Sequence, residues 1–133
     1  SETTMKNPWN PINEELREWA FDADALWPTQ DFDLSAADLY LSEIILELAS
    51  ANKCPKQLFF LKCAYIVVGD AVRTDYHTES KKDVMSFLDR AEKTGNSYLL
   101  KFIEHSKDLM QNPSKFNYDQ WCDGGLAHAN FKS

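Results

Sequence analysis

Apolar residues recur at helical spacing along most of the chain. Ile12, Leu16, Trp19, Ala20 and Ala23 fall at i, i+4, i+7, i+8 and i+11, which is one face of a helix. Glu14, Glu15 and Glu18 occupy the other face, where early acids favour the positive end of the helix dipole. Asn10 ahead of Pro11 predicts the cap, since proline fits a first helical position. Pro28 among the aspartates of residues 22–33 marks a loop. A second stripe, Ala37, Leu41, Ile44, Ile45 and Leu48, predicts a helix over 36–51, with Ser35 and Asp38 as a capping box.

From Leu58 to Val72 the pattern changes. The run is apolar nearly all round, interrupted by Lys62, Gly69 and Asp70. Its three consecutive β-branched residues, Ile66 to Val68, have strand propensity. Its length exceeds a typical strand of about five or six residues, so the run predicts a buried central helix over 55–72. Two amphipathic stretches follow. Val84, Phe87, Leu88 and Ala91 sit behind a Ser80–Asp83 capping box and before Gly95. Leu99, Phe102, Ile103, Ser106 and Met110 sit between an Asn96 or Ser97 cap and Pro113.

This predicts an all-α fold: a compact bundle of about five helices around the central one. Leu61, Tyr65, Val68, Phe87 and Phe102 are its predicted core. The pairs 36–51 with 56–72 and 81–94 with 97–111 are offset by about 45 residues, a spacing also compatible with a helical-repeat pair. Residues 1–133 read as one domain, with an irregular segment at 1–10. The tail at 113–133 reads as irregular, with a short helical turn at Tyr118 and Trp121.

Composition narrows the function. The four glycines begin at Gly69, so the N-terminal half has no glycine-rich phosphate loop. The net charge of -7 is unevenly spread: residues 1–47 hold 11 acids and 2 bases, a balance of -9, and the rest balances at +2. A carboxylate-rich surface repels phosphate, which disfavours nucleic acid and anionic membrane as partners. Cys54, Cys63 and Cys122 match no zinc spacing and read as reduced thiols of a cytoplasmic protein. No signal peptide or membrane-spanning run is visible.

The candidate chemistry is sparse. Asp22, Asp24, Asp31 and Asp33 cluster, but Leu26 and Trp27 stand where a calcium loop needs a ligand and a glycine. The predicted metal and cofactor content is therefore none. Arg73, Asp75 and His77 carry acid–base groups close in sequence, an alternative polar site. His77, His105 and His128 show no paired ligand spacing, and no HExxH, CxxC or GxSxG pattern occurs. Trp9, Trp19, Trp27, Phe21 and Phe32 lie inside the acidic segment, and tryptophan is enriched at binding hot spots.

The leading expectation is a protein-binding module facing a basic protein, with Asp22, Asp24, Trp27, Asp31, Phe32 and Asp33 as its contact set. In size, acidity and lack of catalytic motifs the chain is similar in general character to small bacterial immunity or inhibitor proteins, without a diagnostic motif. The competing readings are a small enzyme or ligand-binding domain with an interhelical pocket, and a homodimer through exposed aromatics.

Overall fold

The computed structural model describes residues 5–26, 28 and 32–121. Every regular element among them is helical, so the chain is all-α. The order is α1 (Asn13–Phe21), α2 (Phe32–Ala36), a 3₁₀ turn at Leu39–Leu41, α3 (Ser42–Ala49), α4 (Gln57–Arg73), α5 (Lys81–Lys93), α6 (Ser97–Gln111), a second 3₁₀ turn at Pro113–Lys115, and α7 (Tyr118–Trp121). No helix among the described residues is long and apolar enough to cross a membrane.

The apolar run becomes α4, and 12 of its 17 residues are buried, as a helix without a polar face requires. α3 and α6 make its most extensive contacts, and α2, α5 and α7 complete the enclosure. Leu61, Tyr65, Val68, Phe87 and Phe102 are all buried. Burying each such side chain contributes about 1.5–3 kcal/mol against the entropy of ordering the chain. Cys63 is buried within α4, and Cys54 is buried just before it. Tyr65, Phe102 and Phe87 make successive edge-on ring contacts at 5.0 and 6.1 Å.

Gly69 has a specific place in this packing. A Cβ at that position would lie 2.4 Å from Cδ1 of Trp121 and 3.0 Å from Cε1 of Phe116. The missing side chain is a notch into which the α7 indole settles. Trp121 Nε1 donates to the Tyr65 carbonyl at 2.5 Å, and the two rings meet edge-on at 5.0 Å.

The helix ends follow their sequence signals in the second half. Ser80 accepts from the Asp83 amide at the start of α5. Asn96 accepts from the Tyr98 and Leu99 amides at the start of α6. Gly95, at φ +67°, turns the chain between them. The Asn96 amide nitrogen also donates to the Ser50 carbonyl and to Asn52 Oδ1. The same Asn52 oxygen accepts from Gln57 Nε2, which also donates to the Ala49 carbonyl. One polar cluster thus joins the end of α3 to the starts of α4 and α6.

The first half departs from its predicted boundaries. α1 begins at Asn13 behind an extended Ile12 with no side-chain cap, so Asn10 and Pro11 are not its first positions. Asn10 instead closes a turn onto the Asn7 carbonyl. Ile12 and Ala23, counted on the apolar stripe, are exposed because they flank the helix rather than belong to it. The predicted helix 36–51 is three pieces. Asp38 is extended (φ −140°, ψ 141°), and its carboxylate accepts from the Tyr40 amide to start the 3₁₀ turn. Ser35 lies inside α2, so the Ser35–Asp38 capping box does not form. α4 starts at Gln57, with Pro55 and Lys56 in the preceding turn. α3 has 8 residues against 17 in α4, and α5 and α6 have 13 and 15, so the two pairs are unequal in build.

Candidate functional site

The acidic N-terminal third is organised around Trp19. Its ring is buried against Phe32, Phe59 and Phe60, with edge-on centroid distances of 5.2, 5.2 and 6.1 Å. Its Nε1 donates to the Leu26 carbonyl at 3.0 Å, which pins the loop after α1. Within that loop the Asp22 carboxylate accepts from the Asp24 amide. Lys56 crosses from the start of α4, and its ammonium donates to the Trp19 and Asp22 carbonyls at 2.9 and 2.5 Å. It also lies 4.7 Å over the Trp19 ring. α1 has no basic residue in its own last turn, so Lys56 supplies the cation at that negative helix end. Burial pushes the Lys56 ammonium below its ordinary range, and the Asp22, Cys54 and Asp24 charges partly oppose this.

The expected contact set divides on this framework. Asp24 is exposed and Asp22 half-buried. Phe32 is only 2% exposed and stacks on Phe59 at 5.7 Å, so it belongs to the core and cannot present itself to a partner. Trp27 and Asp31 lie outside the described residues, and Asp33 is described only through the α2 backbone.

Further exposed apolar side chains lie on the same segment, and of these the sequence pattern marks Trp9 and Phe21 among the aromatics of the acidic third. Trp9 is 72% exposed, Phe21 50%, Leu26 60% and Tyr40 52%, and Ile12 and Leu34 are also exposed. Tyr40 is held by a bond from its hydroxyl to the Pro11 carbonyl at 3.0 Å. Burial, with the Asp38 carboxylate, raises its phenol above the ordinary range. Glu14, Glu18, Asp24, Asp38 and Glu43 are exposed on the same segment. Glu47 is paired bidentately with Arg17 at 2.8 Å, which ties α1 to α3.

The alternative polar site has a different organisation. Arg73 Nε donates to Asp70 at 2.7 Å. His77 Nδ1 is hydrogen-bonded to the Thr74 carbonyl. Asp75 is exposed, and it and Tyr76 both adopt positive φ, at 53° and 63°. That left-handed pair ends α4, with the Tyr76 amide donating to the Ala71 carbonyl at 2.6 Å. The observed bonds of Arg73 and His77 thus run to separate neighbours.

Two cavities accompany these surfaces. The larger, about 520 Å³, is lined by residues of the 54–62 segment and Tyr98, including Cys54, Lys56, Phe59 and Lys62. Burial pushes the Cys54 thiol up, away from the thiolate. The smaller, about 340 Å³, is lined in part by Asp38, Asp70 and Glu79. Burial first, then Asp38 and Asp83, raises the Glu79 carboxyl. No group of three or more His, Cys, Asp or Glu among the described residues is placed to hold a metal ion. His105 stands apart: its Nδ1 meets the Tyr65 hydroxyl at 2.7 Å, and burial first, then Lys101, pushes its imidazole below the ordinary range. Compared with protein-family models, curated proteins and solved structures, the chain matches none.

Proposed function

We propose that the chain is a small protein-binding module whose acidic N-terminal third engages a basic protein. One observation carries this reading. Among the described residues, six of the nine exposed large apolar side chains lie between Trp9 and Tyr40. That is also the segment where acids outnumber bases 11 to 2 over residues 1–47. Aromatic anchors supply contact area at low conformational cost, and surrounding carboxylates steer a positively charged partner and penalise a negative one. The contact set is Trp9, Ile12, Phe21, Leu26, Leu34 and Tyr40, with Asp22 and Asp24 among the acids. An intracellular inhibitor or immunity role fits this character.

The enzyme reading has less support. The larger cavity contains groups with shifted proton affinities, but each has a structural cause. Cys54 is held as the weakly nucleophilic thiol, and the Lys56 ammonium is committed to two carbonyls.

The test is affinity capture from the native host with the full chain and with a Trp9→Ser/Phe21→Ser variant, followed by binding kinetics on the recovered partner. Both positions are exposed, so the variant should keep the wild-type helix content. The expected partner is basic, is lost in the variant, and associates more slowly as salt rises. Capture that is equal in the variant and insensitive to salt refutes the reading. Sedimentation showing a stable dimer that the variant abolishes would assign the surface to self-association instead.

A further inference from the structure

The exposed apolar side chains of the acidic third are spaced along α1, and that spacing constrains the shape of a partner. Glu14, Glu18 and Phe21 follow one another at i, i+4 and i+7. All three are exposed, so they line the outward face of α1, opposite buried Leu16, Trp19 and Ala20. Ile12 is exposed just ahead of the helix, and Phe21 is its last residue. α1 has 9 residues, which at about 1.5 Å per residue puts these two apolar side chains roughly 13 Å apart along the axis.

α3 extends the surface beside α1. The Tyr40 hydroxyl donates to the Pro11 carbonyl at 3.0 Å, which sets the exposed Tyr40 ring at the Ile12 end. Further along, Arg17 pairs with Glu47 at 2.8 Å. Glu14 and Glu43 act on the same guanidinium. Between the two apolar ends, the exposed carboxylates of Glu14, Glu18, Glu43 and Glu47 thus outnumber the charge of Arg17. Every regular element among the described residues is helical, so no sheet edge there offers backbone partners to an extended segment. A strand laid on this surface would leave its own amides and carbonyls unmatched by the protein. A helix arrives with its backbone bonds already made and packs by side chains alone.

We propose that the outward face of α1, with Tyr40 and the exposed edge of α3, docks a basic amphipathic helix of the partner. This rests on the reading above that the acidic third engages a basic protein. The docked helix carries two apolar residues about two turns apart, at i and i+7 or i+8, which meet the Ile12–Tyr40 end and the Phe21 end. Lysines or arginines between them meet Glu14, Glu18 and Glu43.

The test is amide chemical-shift titration of the full chain with three synthetic peptides. The first is an alanine–lysine helix bearing leucines at i and i+7. The second has a proline at its centre, which breaks the helix and keeps the charge. The third has every lysine replaced by glutamate. The expected result is saturable shifts centred on residues 12–21 and 40–47 with the first peptide, binding of the second weaker by about tenfold, and no saturable shifts there with the third. Phe21→Ser should weaken binding of the first peptide by about tenfold. Glu14→Gln with Glu18→Gln should weaken it by about fivefold at low salt and far less at high salt. Equal binding of the proline peptide overturns the helical occupant and leaves the basic-partner reading standing. Equal binding of the glutamate peptide overturns both. Absence of saturable shifts at these residues overturns the proposal. So do shifts produced by raising the protein concentration alone, which would assign the face to a second copy. Should Phe21→Ser not fold, the three-peptide comparison in the wild-type chain still decides.

Discussion

Replacing Gly69 with alanine should destabilise the protein, although alanine is the better helix former by about 1 kcal/mol. The added methyl would sit 2.4 Å from Trp121 Cδ1 and 2.7 Å from its Nε1. An indole is rigid, so the overlap is relieved only by moving α7 away from α4. That movement weakens the bond from Trp121 Nε1 to the Tyr65 carbonyl and the edge-on contact of the two rings. Overpacking costs about 1–3 kcal/mol, and a lost hydrogen bond about 0.5–1.5 kcal/mol. Set against the gain in propensity, Gly69→Ala should lower stability by about 1–3 kcal/mol. Removing the obstacle lifts most of that cost. In a Trp121→Ala background, itself less stable by about 3–5 kcal/mol, the clash with the indole is gone. There only the Phe116 ring, 3.0 Å from the added methyl, has to give by a few tenths of an ångström, and Gly69→Ala should be close to neutral, with any gain below about 1 kcal/mol. Urea unfolding of the four proteins, followed by far-ultraviolet circular dichroism, measures the cycle. Destabilisation of the same size in both backgrounds would refute the notch.

Three further outcomes are expected. Asn96→Ala should cost about 1–2 kcal/mol in thermal unfolding. Asn96→Asp should recover only part of that, because it caps α6 but turns an acceptor toward the Ser50 carbonyl and Asn52 Oδ1; full recovery would mean that the tie to α3 contributes nothing. Lys56→Met should cost about 1–3 kcal/mol by leaving the Trp19 and Asp22 carbonyls without their cation, and should change Trp19 emission; a variant with wild-type stability would show the ammonium to be dispensable. His105 gives a pH effect: burial lowers its folded-state affinity for a proton, so the unfolded chain binds the proton more readily below its ordinary value of about 6.5. Stability should therefore fall as pH drops from about 6.5 through the lower folded value, and His105→Gln should flatten that slope; equal slopes in variant and wild type would remove His105 from the account.

The second half of the fold was legible because its signals are local. Ser80, Asn96 and Gly95 act on amides and dihedrals within a few residues, and α5 and α6 begin and end where those residues place them. The first half obeys longer-range terms. Asp38 can cap a helix or start a 3₁₀ turn; here it starts the turn, and Leu41 and Ile44 just after it are buried in the core. Among the candidate contact residues, Asp24 proved accessible, whereas Phe32 could not be separated from a surface aromatic by spacing alone. The larger cavity was invisible for a similar reason. Lys62 registered only as an interruption of an apolar run, and nothing local announces that Tyr98 shares its cavity, 36 residues later.

The seating of Trp121 also bears on how the chain folds during synthesis. Its indole reaches back 56 residues to the Tyr65 carbonyl. When α4 leaves the ribosome, α5, α6 and α7 have yet to emerge, so its apolar circumference has only the earlier helices to cover it. The notch at Gly69 is filled last. A nascent chain paused before residue 116 would expose the α4 stretch around Gly69, the kind of unfinished apolar surface that chaperones retain. Folding should therefore be delayed until α7 has emerged. Released chains ending shortly before and after Trp121 should differ in protease resistance far more than their few residues of added length alone would suggest.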